Sequence, residues 1–369
     1  MSADLAIHLE RLEHLVDPER ARANERLQED AWAFRPVPRI PCVLNYRDKV
    51  SKERKAPADW PVFPYAEIFR SPEKMLLDEL EDVYVGALLG DDKVYTVRAN
   101  YGVGILPSVF GCEIHAPAGN DLPWVEPLSP DEVRRVASSG PPDLDRGLFA
   151  RALETEQFFI EALAPYPRLS AAVRVGQADL QGPMNVAAEV MGPDVYTAVY
   201  DDPILLHELL GVVTESIIAG TLRQKEIIGE ERNRAYHWHF RVVGGVRISE
   251  DFALSLSPRH YAEFAVPYNA RVYEAFGGGY LLHADEGLPA IRDVLDTPGI
   301  TGLYRWTEKA EEFDVVWPLA QERGVCLIWN GPLPEGWRER ADTGLILEAI
   351  VSGPEEGRRR MATAGRELG

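Results

Sequence analysis

From residue 170 to 365 the chain switches back and forth between short apolar runs and longer stretches of helical spacing. SAAVRVG runs into a loop, and ILLHELLGVVTESIIAGTLRQKEII (204–228) reads as one long helix. RVVGGVRIS, YLLH, ITGLYRW and VCLIWN read as strands, with helical segments between them. TGLILEAIVSGPEEGRRRMATAG reads as the final helical segments. Ser257-Pro258 is a helix start, serine at the N-cap and proline at the first helical position, and Pro267 predicts a break further on. Repeated strand–helix alternation is the signature of parallel β/α units.

Upstream, IPCVLNY (40–46) and the 94–101 segment supply further strands, so that roughly eight are available, the number that closes a barrel. The expected fold is therefore α/β, a (β/α)8 TIM barrel with an N-terminal helical extension. Residues 1–93 are expected to hold helices and an excursion packed on the barrel, with the first strand near 40–46, and residues 94–369 the barrel proper. An open doubly wound sheet is the alternative. Neither GxGxxG nor GxxxxGK[ST] follows a strand to support it.

Composition narrows the partners. A formal net charge of -20 disfavours nucleic acid, because no counterions are released on a phosphate backbone. The sequence holds no run of 18 apolar residues, so no membrane span is expected. The N-terminus lacks the basic start and apolar run of a secretory signal. Three widely spaced cysteines form no disulfide framework and fit a reducing, cytoplasmic setting. A small molecule is the expected ligand, and a homodimer is compatible with all of this.

In β/α barrels the chemistry sits where strands hand over to loops. In YLLHADEG, His283 and Asp285 stand at i, i+2 and so on one face. YHWHF repeats the spacing with His237 and His239. A histidine pair with a carboxylate suits a divalent metal, and histidine also suits acid/base work near neutrality. The metal candidates are His283, Asp285 and His239; packing is the competing role for the YHWHF pair. QADLQGP places Asp179 and Gln181 at another strand end, for ligand binding or for capping the next helix. Asp251 precedes the Ser-Pro helix start and faces the same choice. The catalytic candidates are His283, Asp251 and Asp179. The substrate-binding candidates are Gln181, Asn100, Tyr101 and Arg47. Cys326 reads as a buried strand residue.

Four segments carry a family likeness. DLQGPMNVAAEVMG, LSLSPRHYAEFAVPYNARVYEAF, YLLHADEGLPAI and GVCLIWNGPLPEGW occur in the order, and with the character, of conserved elements in the uroporphyrinogen decarboxylase superfamily. The chain resembles that superfamily over roughly 95–355. The resemblance implies a (β/α)8 barrel with its cleft at the strand ends. It also implies one of two chemistries: cofactor-free decarboxylation of a carboxylate substrate, or methyl transfer linked to a corrinoid and assisted by zinc on a His-x-Cys pair and a later Cys.

His283 matches the zinc histidine, but Asp285 replaces the first cysteine and no cysteine follows Cys326. The arginine-rich N-terminal element of the decarboxylases is reduced to Arg47 in VLNYRDKVS. The leading expectation is a corrinoid-linked methyltransferase with a modified metal site. That site holds zinc or another divalent metal and favours an oxygen-bearing, methoxylated substrate. The chain carries no D-x-H-x-x-G, so its corrinoid belongs to a separate partner protein. A metal-free decarboxylase or lyase and a non-catalytic small-molecule binding barrel are the alternatives.

Overall fold

The computed structural model describes residues 2–46, 57–283 and 288–366. Arg47 and Asp285 lie outside the described residues, as does the side chain of His283. Strands β1 (Cys42–Tyr46), β2 (Thr96–Arg98), β3 (Arg174–Gly176), β4 (Val246–Ser249), β5 (Gly279–His283), β6 (Ile300–Trp306), β7 (Cys326–Asn330) and β8 (Leu345–Val351) are all paired in parallel. Six form one sheet in the order β1-β8-β7-β6-β5-β4, and β2 pairs with β3.

The fold is α/β with parallel strands, but the hydrogen-bonded ladder is not the closed barrel that the strand count predicts. Among the described residues it breaks between β1 and β2 and between β3 and β4. The first break has a physical cause. The open edge of β1 donates to side chains instead of to a strand: Cys42 N–H bonds Asp92 Oδ2 and Leu44 N–H bonds Asp91 Oδ2, each at 2.8 Å. Arg39 forks onto Asp92 and supplies the balancing charge.

The run RVVGGVRIS is not one strand. It divides at Gly244, whose φ of +104° favours glycine. Its first part, Phe240–Val243, pairs antiparallel with Arg234–His237 as a hairpin. This hairpin is wedged among the inward residues of the sheet: Ala235, Phe240 and Val242 cluster with Val43, Tyr280, Leu282, Cys326, Ile328 and Ile346. Gln28, on the helix Pro18–Trp32, pins it by donating to the His239 carbonyl (2.9 Å) and accepting from Arg241 N–H (2.9 Å). The helix Pro18–Trp32 thus reaches the core: Gln28 is wholly buried and Trp32 joins the inner cluster. Position 302 is glycine because a Cβ there would meet Trp32 at 2.3 Å.

The LILEAIV segment is a strand, β8, not the helix its leucines, alanine and glutamate favour. Packing between β1 and β7 overrides that propensity. The break foreseen at Pro267 is present, between Pro258–Phe264 and Val266–Ala275, with Ser257 accepting from His260 N–H. The helix Pro203–Ile228 is long and apolar enough by composition to cross a membrane, but 56% of that window is buried against the rest of the fold.

Candidate active site

The C-terminal ends of β1, β2, β6, β7 and β8 surround a cavity of about 390 Å³. One wall comes from the helix Pro72–Leu89 through Asp78, Glu79 and Asp82. The floor is the hairpin tip, Trp238 and His239, reaching the cavity from below. Trp238 has φ of +50°, a left-handed conformation that a bulky residue takes only when its surroundings force it. Here Thr96 Oγ1 donates to its carbonyl, and Arg98 and Arg247 lie 5.6 and 5.8 Å from its ring.

His239 stands 3.9 Å from Asp82 Oδ2, and the buried Lys93 ammonium is 3.6 Å from Asp82 Oδ1. His237 faces the interior: its Nδ1 shares a 2.7 Å hydrogen bond with Tyr280 OH. Burial, with Arg247 and Arg98 nearby, pushes its pKa well below the usual range, so it is a neutral packing residue.

Two carboxylates are held by side chains from other strands. Asp179 is bound by Arg247, with Arg98 at 3.9 Å, and accepts from Gln181 N–H at 2.8 Å. Burial alone would raise its pKa. The charge and hydrogen bond of Arg247, helped by Arg98, outweigh that and hold it below the usual carboxylate range. The second carboxylate, Glu348 on β8, is 5% exposed and lines the cavity. Tyr304 OH donates to its Oε2 at 2.5 Å, Asn330 Nδ2 to Oε2 at 2.7 Å, and Asn45 Nδ2 to Oε1 at 2.6 Å. Asn45 and Asn330 come from β1 and β7, the strands flanking β8, and Tyr304 from β6, one strand further on. Strand alternation sets the geometry, since Ile346, Glu348 and Ile350 share the inward face.

The candidates read from sequence are dispersed. Asn100 lines the cavity, and its amide lies 3.5 Å from Glu79. His239 lines it from the hairpin turn, not from a strand beside β5. Gln181, at φ of +63°, holds the Asp179 corner and accepts from Asn185 Nδ2. Asp251 lies beside Glu250 and within electrostatic reach of Arg247. Tyr101 is fully enclosed, its hydroxyl 2.7 Å from Thr155 Oγ1 and its ring under Arg151.

His283 is the ladder partner of Arg305. Glu348, Tyr304, Asn330 and Asn45 were not foreseen. The alternation of LILEAIV, read as a strand, was the signal that could have found Glu348.

The three thiols do not offer a soft metal site. Cys42, Cys112 and Cys326 are buried, and burial pushes their pKa values up, Cys42 and Cys112 to about 12. Among the described residues, three metal-capable ligand atoms converge within 4.8 Å at Glu113, His115 and Glu126, on a separate hairpin, and not at the cavity.

The molecule is thus an α/β protein with its parallel strand ends gathered around a polar, aromatic-floored cavity. No family model matches the chain, and no curated protein matches it. Among solved structures it is similar to a methyltransferase from Methanosarcina mazei, with a TM-score of 0.61 and 18% identity over 93% of this chain and 98% of that one. At that identity the likeness is one of fold.

Proposed function

We propose that the chain is a methyltransferase of the uroporphyrinogen decarboxylase-like type, working at the cavity where β1, β2, β6, β7 and β8 end. The observation that carries this reading is the end-to-end fold similarity to the Methanosarcina methyltransferase, 93% of one chain and 98% of the other, with a cavity at the expected end of the strands. In this reading the β2–β3 pair and the six-stranded sheet stand as the walls of a (β/α)8 barrel with the hairpin as its plug. The methyl group passes from a small substrate to a corrinoid carried by a separate protein.

A divalent metal belongs to the proposal at His283, Asp285 and His239. His239 beside Asp82 is a nitrogen–oxygen donor pair that fits a hard ion, whereas the protonated, buried thiols do not fit a thiolate-bound one. When bound there, the metal supplies Lewis-acid activation of the leaving atom. The chain's own residues bind and orient. Asp82 holds the His239 imidazole at the cavity floor, and Trp238 and Tyr304 restrict water.

The test is transfer to free reduced cobalamin, followed by its change in absorbance to the methylated form. Methoxy, methylthio and methylammonium donors are offered, with and without added zinc, iron or manganese. One of these donors should methylate the corrinoid, and His239→Ala should slow that at least about tenfold. No transfer from any donor under any metal condition would overturn the reading.

A further inference from the structure

Glu348 is a buried carboxylate held by neutral groups. Each of its partners, Tyr304, Asn330 and Asn45, is neutral, and among the described residues no cation pairs with it. A carboxylate offers about four lone-pair sites. Two bonds fall on Oε2 and one on Oε1, so Oε1 keeps an acceptor position. Burying a charge without a partner is costly, and such sites persist where a partner arrives. Beside the carboxylate, Tyr304 and the half-buried Trp306 line the same cavity, and Trp238 closes its floor.

We propose that this cavity takes a small protonated N-methylated ammonium, its N–H⁺ on Glu348 Oε1 and its methyl groups against Tyr304 and Trp306. The methyl groups of an ammonium carry much of its positive charge and rest favourably on aromatic faces. The remaining N–H makes a charge-assisted hydrogen bond to the free position on Oε1. A neutral methoxy compound would leave the carboxylate uncompensated. A bare metal ion would meet the amide NH₂ groups of Asn45 and Asn330 at the carboxylate and apolar ring faces beside it, not a shell of oxygens. Arg98 lines the same cavity, but its Nη1 stands 3.9 Å from Asp179 Oδ2 and its charge is shared with that carboxylate.

The binding claim stands independently of the proposed function, and the chemical step rests on it. In that step the C–N bond breaks and its electron pair stays on nitrogen. A protonated trimethylamine leaves as neutral dimethylamine, and the methyl group goes to the nucleophilic metal of the reduced corrinoid. Protonation is what makes the amine a leaving group, so the carboxylate that selects the cation also selects the reactive form.

The experiment is a calorimetric titration of the full chain with trimethylammonium, tetramethylammonium and tert-butanol, which are alike in size. Trimethylammonium should bind tightest, tetramethylammonium more weakly for want of an N–H, and tert-butanol at least about tenfold more weakly, an equivalent of ~1.4 kcal/mol. Glu348→Gln should lose about the same factor, with an unchanged circular dichroism spectrum. Equal binding of tert-butanol by the wild type would overturn the proposal without recourse to a variant. Displacement of trimethylammonium by equimolar potassium or calcium would overturn the organic class. Binding in the expected order without methyl transfer from trimethylammonium to reduced cobalamin would sustain this site and overturn the chemical step.

Discussion

Asp179 and Glu348 are both largely buried carboxylates, one just past the end of β3 and the other midway along β8, and their neighbours differ in kind. Asp179 is bound by the buried Arg247 guanidinium with Arg98 behind it. Glu348 has a tyrosine and two asparagines. The first charge is balanced inside the protein, and its carboxyl titrates below the usual range. The second is, among the described residues, held by dipoles, and it lines the cavity with an acceptor position to spare on Oε1. Burial does not distinguish a structural lock from a binding group here. Charge balance does, and it depends on which side chains other strands bring, which is a property of tertiary structure.

The sharpest way to break this contrast is to remove the lock. Arg247→Met leaves Asp179 buried with Arg98 at 3.9 Å as its remaining cation. Breaking one partner from a buried ion pair costs about 3–5 kcal/mol. Denaturant unfolding should show a loss in that range. A loss below about 1 kcal/mol would mean that Asp179 is solvated well enough without its arginine, and the two corners would be alike.

A smaller effect comes from the residue behind the lock. Glu250 caps the helix Pro183–Met191 by accepting from Met184 and Asn185 N–H, both at 3.1 Å. Burial nevertheless pushes its pKa up to about 8, against the pull of those two bonds. A carboxyl raised on folding binds its proton more tightly in the native state than when unfolded. Its contribution to stability is fully present below its ordinary value and is lost as pH rises to about 8. Glu156, pushed up to about 8 by burial, acts in the same direction. Unfolding free energy should therefore fall between pH 5 and 8. Glu250→Gln should flatten part of the slope. A stability that stays flat over that interval would place both carboxylates in the class of Asp179, ionised before the interval begins.

How much of this was readable from the chain follows the same division. The strand–helix rhythm is local, so seven of the eight strands lie in segments where a strand was expected, and the break near Pro267 was visible as well. Asp179 and Gln181 stood out because polar residues after an apolar run are conspicuous. Glu348 did not, because LILEAIV is built of good helix formers and its strand character comes from packing between β1 and β7. Tyr304 and Asn330 lay inside strands recognised as strands, in ITGLYRW and VCLIWN. Nothing local marks which of their faces meets a carboxylate 44 or 18 residues away. The hairpin was hidden for another reason. Its turn uses Trp238 at positive φ instead of the Asn-Gly or Asp-Gly pair that announces a tight turn.

The smallest effect on stability is predicted at the more interesting corner. Among the described residues no cation pairs with Glu348, so Glu348→Gln leaves no orphaned partner charge among them. The glutamine oxygen can still accept from Tyr304 and Asn330, while its NH₂ faces the amide of Asn45 and loses that bond. One neutral hydrogen bond is worth about 1 kcal/mol, and relief of the desolvated charge works in the opposite direction. The net change in unfolding free energy should lie within about 1 kcal/mol of zero, several-fold less than for Arg247→Met. The same variant should lose most of its affinity for trimethylammonium, whereas Arg247→Met, where it folds, should keep it. Stability and binding would then be separated between two largely buried carboxylates. A destabilisation of 3 kcal/mol or more by Glu348→Gln would show that the charge at Glu348 is itself part of the structural frame, and the contrast between the two corners would not survive.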